Sequence, residues 1–145
     1  MSLLSTLLQE PLIFVTTLGV FIIALSFHES AHAFAGYLMG DMTARRMGRL
    51  TLNPLAHIDP IGLLALLTIG FGWAKPVPYN PYNLRYPRLG PFLVAFAGPG
   101  ANLLLGMVAA LLFGVFLPRL GSDNLLVFVL ARLSYLNFGL MLFNL

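Results

Sequence analysis

The chain has 145 residues, 59% of them hydrophobic and 9% charged, whereas a soluble domain carries about 25% charged residues. So little polar surface cannot cover a soluble globule, and an all-α polytopic membrane protein embedded in a lipid bilayer is expected. The net charge of +3 comes from few residues and reports topology rather than nucleic-acid binding, and the absence of cysteine excludes both a disulfide framework and a cysteine zinc site.

The first apolar stretch runs from Pro11 to Met39 and is long enough to span ~30 Å of hydrocarbon. The residues before it lack a basic region, so it does not read as a removable signal peptide. Next comes RRMGRLTLNPLAHIDP, in which Arg49 to Leu52 alternate polar and apolar as a short strand would, and Asn53-Pro54 marks a turn. Pro60 to Ala74 is apolar but too short for an easy crossing, and its glycines suit a re-entrant half-span. The prolines of KPVPYNPYNLRYPR forbid a helix and predict extended backbone. Leu89 to Leu117 is uncharged and is predicted to end at Pro118, and Asn124 to Leu145 is apolar apart from Arg132 and a few polar residues. The expectation is one membrane-embedded unit over residues 1–145, with about three transmembrane helices, a re-entrant half-span and small extended or β segments.

Basic loops favour the cytoplasm. Residues 1–10 hold Glu10 and no Lys or Arg, whereas Arg45, Arg46 and Arg49 follow the first helix. The N-terminus is therefore expected outside and residues 44–60 inside. If the half-span dips and returns, Lys75, Arg85 and Arg88 lie inside as well.

The first helix carries HESAH. His28 and His32 are four apart and share one helix face, so both imidazoles can ligate one tetrahedral zinc. Glu29 falls beside such a metal, where a carboxylate can take a proton from water. A pair of polar residues facing a bundle interior is the blander alternative. Two histidines do not complete a catalytic zinc site, and His57, Asp59 and Asp123 are the further candidates in the chain. Asp59 precedes Pro60, where a helix N-cap would fall, so a capping role competes with ligation there. In AGPGANLL, Asn102 is a two-way hydrogen bonder in an uncharged helix, suited either to gluing helices together or to donating to a substrate carbonyl or oxyanion.

With HESAH in the first long helix and AGPGAN in the third, the chain resembles the site-2 protease family of intramembrane zinc metalloproteases. TLNPLAHIDPIG and GWAKPVPYNPYNLR look like connecting segments of its compact prokaryotic branch, which has no PDZ domain. The resemblance implies that His28 and His32 are zinc ligands, that Glu29 is the general base and that Asn102 assists at the substrate carbonyl. It also implies peptide-bond hydrolysis in transmembrane protein substrates at the prokaryotic cell membrane, and the basic-loop topology puts the active site nearer the cytoplasmic face. The family's third ligand is an aspartate in a later L-D-G motif that this chain lacks. Either the natural reading frame continues past Asn144-Leu145 into that motif, or a residue such as His57 takes its place. The rival class is a non-catalytic membrane protein, such as a small transporter, a metal-binding scaffold or an inactive homologue. Glu29 discriminates, because ligation alone needs no base beside the metal.

Overall fold

The computed structural model describes residues 3–144, with side-chain surroundings described from residue 6 onward. The protein is an all-α polytopic membrane protein. Three helices are long and apolar enough to cross a bilayer: α2 (Pro11–Leu38), α5 (Gly90–Leu120) and α6 (Leu125–Phe143). The shorter helices are α1 (Leu3–Gln9), α3 (Thr43–Arg46) and α4 (Pro60–Ile69), with single 3-10 turns at Pro54–Ala56 and Pro81–Asn83.

The helix starts follow from local chemistry. Pro11 opens α2 at a position where its missing N–H costs nothing. Asp59 caps α4 through Gly62 N–H at 2.8 Å, and Asn124 caps α6 through Leu126 N–H at 2.9 Å. The expected break at Pro118 does not occur, and α5 runs on to Leu120. Pro118 lies in the last turn, where one lost hydrogen bond is tolerated. Gly121, at φ 80°, then ends the helix.

The core is the antiparallel pair α5–α6 with α2 laid across both. Lipid supplies no hydrophobic drive between helices, so close approach depends on small residues. A Cβ on Gly106 would stand 3.1 Å from the Phe138 ring and 3.3 Å from Asn137 Cβ, so this glycine lets α6 seat against α5. Ala24, Ala33 and Gly36 line the inner face of α2, while Val15, Ile23, Leu104 and Leu111 are exposed on the outer faces.

The half-span is a hairpin. After α4 the chain turns at Gly70, at φ 79°, and returns against the helix it has just left. Only glycines fit this return. A Cβ on Gly62 would lie 2.2 Å from Trp73 O, and one on Gly72 2.4 Å from Gly62 O. The two ends meet in an antiparallel bridge between Ile58 and Ala74, and Lys75 N–H donates to His57 O at 2.9 Å. Entry and exit therefore lie on the same side.

The expected strand over Arg49 to Leu52 does not form, and that bridge is the β pairing found among the described residues. Thr51 O, which a ladder would need, instead accepts hydrogen bonds from Ser30 Oγ on α2 and from His57 Nε2.

The Pro-rich segment is extended except at the 3-10 turn Pro81–Asn83, where Pro81 opens the turn and Asn80 caps it, and it is fastened at several points. Arg85 N–H donates to Met39 O at 2.8 Å, and Leu84 is buried with Met39 and Val94 between the end of α2 and the start of α5. Asp41, 1% exposed, accepts from Thr43 N–H at 3.1 Å, Thr43 Oγ at 2.6 Å, Asn80 N–H at 2.7 Å and Asn83 Nδ2 at 3.0 Å. Burial opposes charge on Asp41, but the hydrogen bonds from Thr43, Asn80 and Asn83 outweigh it and hold the carboxyl below its ordinary value.

Candidate metal centre

Helical geometry puts His28 and His32 one turn apart on the face of α2 that meets α5. Their Nε2 atoms are 3.0 Å apart and their rings stand edge to face, with centroids at 4.6 Å. Two nitrogens bound to one tetrahedral zinc at 2.0–2.1 Å would be roughly 3.3 Å apart, so the pair needs little adjustment to share an ion. One ligand atom each from His28, Glu29 and His32 lie within 4.8 Å of one another.

The opposite wall of the site is glycine. A Cβ on Gly98 would stand 2.3 Å from His32 Nε2 and 2.6 Å from His28 Nε2. Next to it, Pro99 leaves Ala95 O without a helix donor, which suits a turn where α5 approaches another helix closely. That Gly98 faces both imidazoles was not legible in the sequence.

The outward ring nitrogens are held. His32 Nδ1–H donates to Val94 O at 2.6 Å, which leaves Nε2 with a free lone pair. Asn102 is fully buried, and its amide nitrogen lies 3.1 Å from His28 Nδ1, while its amide oxygen has no partner. A half-turn of that amide brings the oxygen to Nδ1–H of His28. It pairs the oxygen with that N–H, leaves the amide nitrogen in the unpartnered position and frees the His28 Nε2 lone pair as well. Both donors of a metal-binding pair are then aimed at one point, and the residues fit a zinc ion. The structure thus places Asn102 at the site, against His28.

Glu29 is buried, and its Oε2 accepts from Val77 N–H at 3.1 Å. Val77 lies in the Pro-rich segment, and this contact was not anticipated. The other candidates lie elsewhere. His57 is fully buried next to Ser30, with Nε2 on Thr51 O at 2.8 Å and Nδ1 unpartnered, and it is outside the His28–Glu29–His32 group. Asp59 is the cap of α4. Asp123 sits in the α5–α6 turn, where it accepts from Ser122 Oγ at 3.2 Å. Beside the centre, Phe27, Ser30, Ala31 and Phe34 of α2, residues 50–52 and Ala101 of α5 line an open, largely apolar groove of about 430 Å³.

Comparison with known proteins points the same way. The chain is similar to proteins named as zinc metalloproteases. It is 42% identical over 130 residues to "Putative zinc metalloprotease YwhC" of Bacillus subtilis, a match covering 86% of the chain and 59% of that protein. It is 33% identical over 108 residues to "Putative zinc metalloprotease Rip2" of Mycolicibacterium smegmatis, covering 71% of the chain and 40% of that protein. The Rip2 of Mycobacterium tuberculosis is 32% identical over 103 residues, with 66% and 39% covered. The chain therefore spans about half the length of these curated relatives. No protein-family model matches the chain, and no solved structure matches it.

Proposed function

We propose that the protein is an intramembrane zinc metalloendopeptidase of the site-2 protease type, hydrolysing peptide bonds within transmembrane segments of membrane-protein substrates. The observation that carries this reading is the convergence of His28 Nε2 and His32 Nε2, 3.0 Å apart, with the Glu29 carboxylate beside them inside a membrane-length helix. The similarity to YwhC and Rip2 supports it.

His28 and His32 would hold the zinc, with at least one further ligand. When bound, the ion supplies Lewis acidity, polarising the scissile carbonyl and making water acidic near pH 7. Glu29, with Oε2 held by Val77 N–H, keeps its other oxygen to take a proton from the attacking water and pass it to the leaving amine. Asn102 has two amide ends, so its oxygen can hold His28 while its nitrogen donates to the substrate carbonyl.

Peptide bonds in a helix are already hydrogen-bonded, so a substrate must be locally extended. The groove between Phe34, Leu50 and Ala101 is the seat we assign to that segment, with the backbone of Leu50 and Leu52 as its partner, since Thr51 O is held by Ser30 and His57. The Val77–Leu84 segment is less suited, because it is already fastened to Glu29 and Asp41. By the basic-loop rule the site lies nearer the cytoplasmic face of the plasma membrane, and water enters there.

The test is Glu29→Gln in proteoliposomes that carry a transmembrane substrate. The expected result is loss of cleavage with zinc content unchanged. Metal-dependent transport that survives Glu29→Gln would favour the transporter or scaffold reading instead.

A further inference from the structure

The segment from Lys75 to Arg85 is a strap tied down along its whole length. Arg49 Nη2 donates to Lys75 O, and Lys75 N–H donates to His57 O. Two residues on, Val77 N–H reaches Glu29. Three residues further, Asn80 N–H and then Asn83 Nδ2 end on opposite oxygens of Asp41. Asp41 N–H in turn donates to Gly36 O at 2.9 Å, which fixes the carboxylate to the last turn of α2. Glu29 and Asp41 thus belong to one continuous piece of chain, and the strap bridges them.

We propose that Asp41 is a positioning residue for Glu29. Its carboxylate clasps the strap at Asn80 and Asn83, and the clasped strap presents Val77 N–H to Glu29 Oε2. A short extended segment flanked by Pro76 and Pro78 has little freedom to absorb error, so a fixed point at Asn80 sets the place of the amide three residues earlier. Asp41 suits the task. It is buried, it uses both oxygens, and its four donors come from two separate segments. The reach is non-local, since among the described residues the ring nitrogens of His28 and His32 bond to Asn102, Val94 and each other rather than to the strap or Asp41. The proposal rests on the reading of Glu29 as general base.

The experiment uses the full chain labelled with 13C-glutamate. Glu10 and Glu29 are the glutamates of the sequence, so subtracting the infrared spectrum of Glu29→Gln isolates the Glu29 carboxyl band. Val77→Pro removes the donor while keeping an extended backbone, because residue 77 already precedes Pro78. Asp41→Ala opens the clasp, and Asn83→Ala removes one of its four bonds in case the larger change prevents folding. We expect all three to move the Glu29 band in the same direction, Asn83→Ala least. In cleavage assays kcat should fall about tenfold in Asp41→Ala and at least that in Val77→Pro, within the roughly 10²–10⁴-fold that a general base contributes. KM and zinc content should change less than about twofold. On the Val77→Pro background, Asp41→Ala should cost less than about a further twofold, because both act through one hydrogen bond. A Glu29 band unmoved by Asp41→Ala and Asn83→Ala, or full multiplication of the two kcat losses, would overturn the proposal. If the natural full-length protein, loaded with zinc, cleaves nothing, the protease reading fails, while the band still decides whether the clasp holds Glu29.

Discussion

A Cβ on Gly98 would stand 2.3 Å from Nε2 of His32, so the glycine and the histidine compete for one small space. The flexible end of a side chain can usually yield to a methyl group, but here the ring is tied at its other nitrogen to Val94 O. Gly98→Ala should therefore displace one or both imidazoles from their common point. Zinc affinity is expected to fall about 10- to 100-fold, the range seen when a ligand's supporting contacts are lost. Competition with a zinc chelator measures it. Helix content should be unchanged, since alanine is the better helix former.

The two ends of the Asn102 amide can be separated by mutation. Asn102→Ala should lower zinc affinity about tenfold through His28 and also lower kcat. Asn102→Asp keeps an acceptor for His28 Nδ1–H but has no donor for a carbonyl. It should retain zinc and still lose about 2.7–4 kcal/mol of transition-state stabilisation, the usual cost of an oxyanion donor. Zinc titration and cleavage rates on the same preparations distinguish the two. Equal loss of folding in both would favour helix packing as the role of Asn102.

Asp41 predicts a pH dependence of stability. Its folded-state pKa lies below the ordinary value, so the folded chain binds its proton less readily than the unfolded chain does. The stabilisation is then complete above about pH 4, the unfolded-state value, and is lost as the pH falls through the lower folded value. Thermal unfolding in detergent should show a stability decline below pH 4 that Asp41→Asn flattens. Removing the charge should cost about 1.5–3 kcal/mol at neutral pH, typical of hydrogen bonds to a charged group.

Topology can be tested directly because the native chain has no cysteine. Thr43 follows α2 on the side where both ends of the α4 hairpin meet, and Ser122 lies in the α5–α6 turn at the other end. Ser122→Cys should react with a membrane-impermeant thiol reagent in intact cells. Thr43→Cys should be protected until the cells are broken. The opposite pattern would reverse the proposed side of water entry.

The helical part of this structure was legible because it is written locally. The apolar runs mark α2, α5 and α6, and the i, i+4 spacing of His28 and His32 fixes their shared face. Asp59 before Pro60 announced the cap of α4, and the glycines of residues 60–74 announced a half-span. What was not legible depends on distant partners. Glu29 meets Val77 from 48 positions away, and Asp41 meets Asn80 from 39. Nothing in the spacing of either residue points across such a gap. The alternation at Arg49 to Leu52 misled for a related reason: a strand needs a partner for its carbonyls, and α2 and His57 supplied one for Thr51. Proline at 118 misled because its cost depends on how close it lies to the helix end.

The claim that His28 and His32 jointly hold one zinc ion is tested most directly by zinc X-ray absorption on the purified, metal-loaded chain. The wild type should bind one zinc per chain with two imidazole nitrogens at about 2.0–2.1 Å. His28→Ala and His32→Ala should each lose that signature and most of the metal. Zinc bound with the same spectrum and stoichiometry in both variants would contradict the assignment.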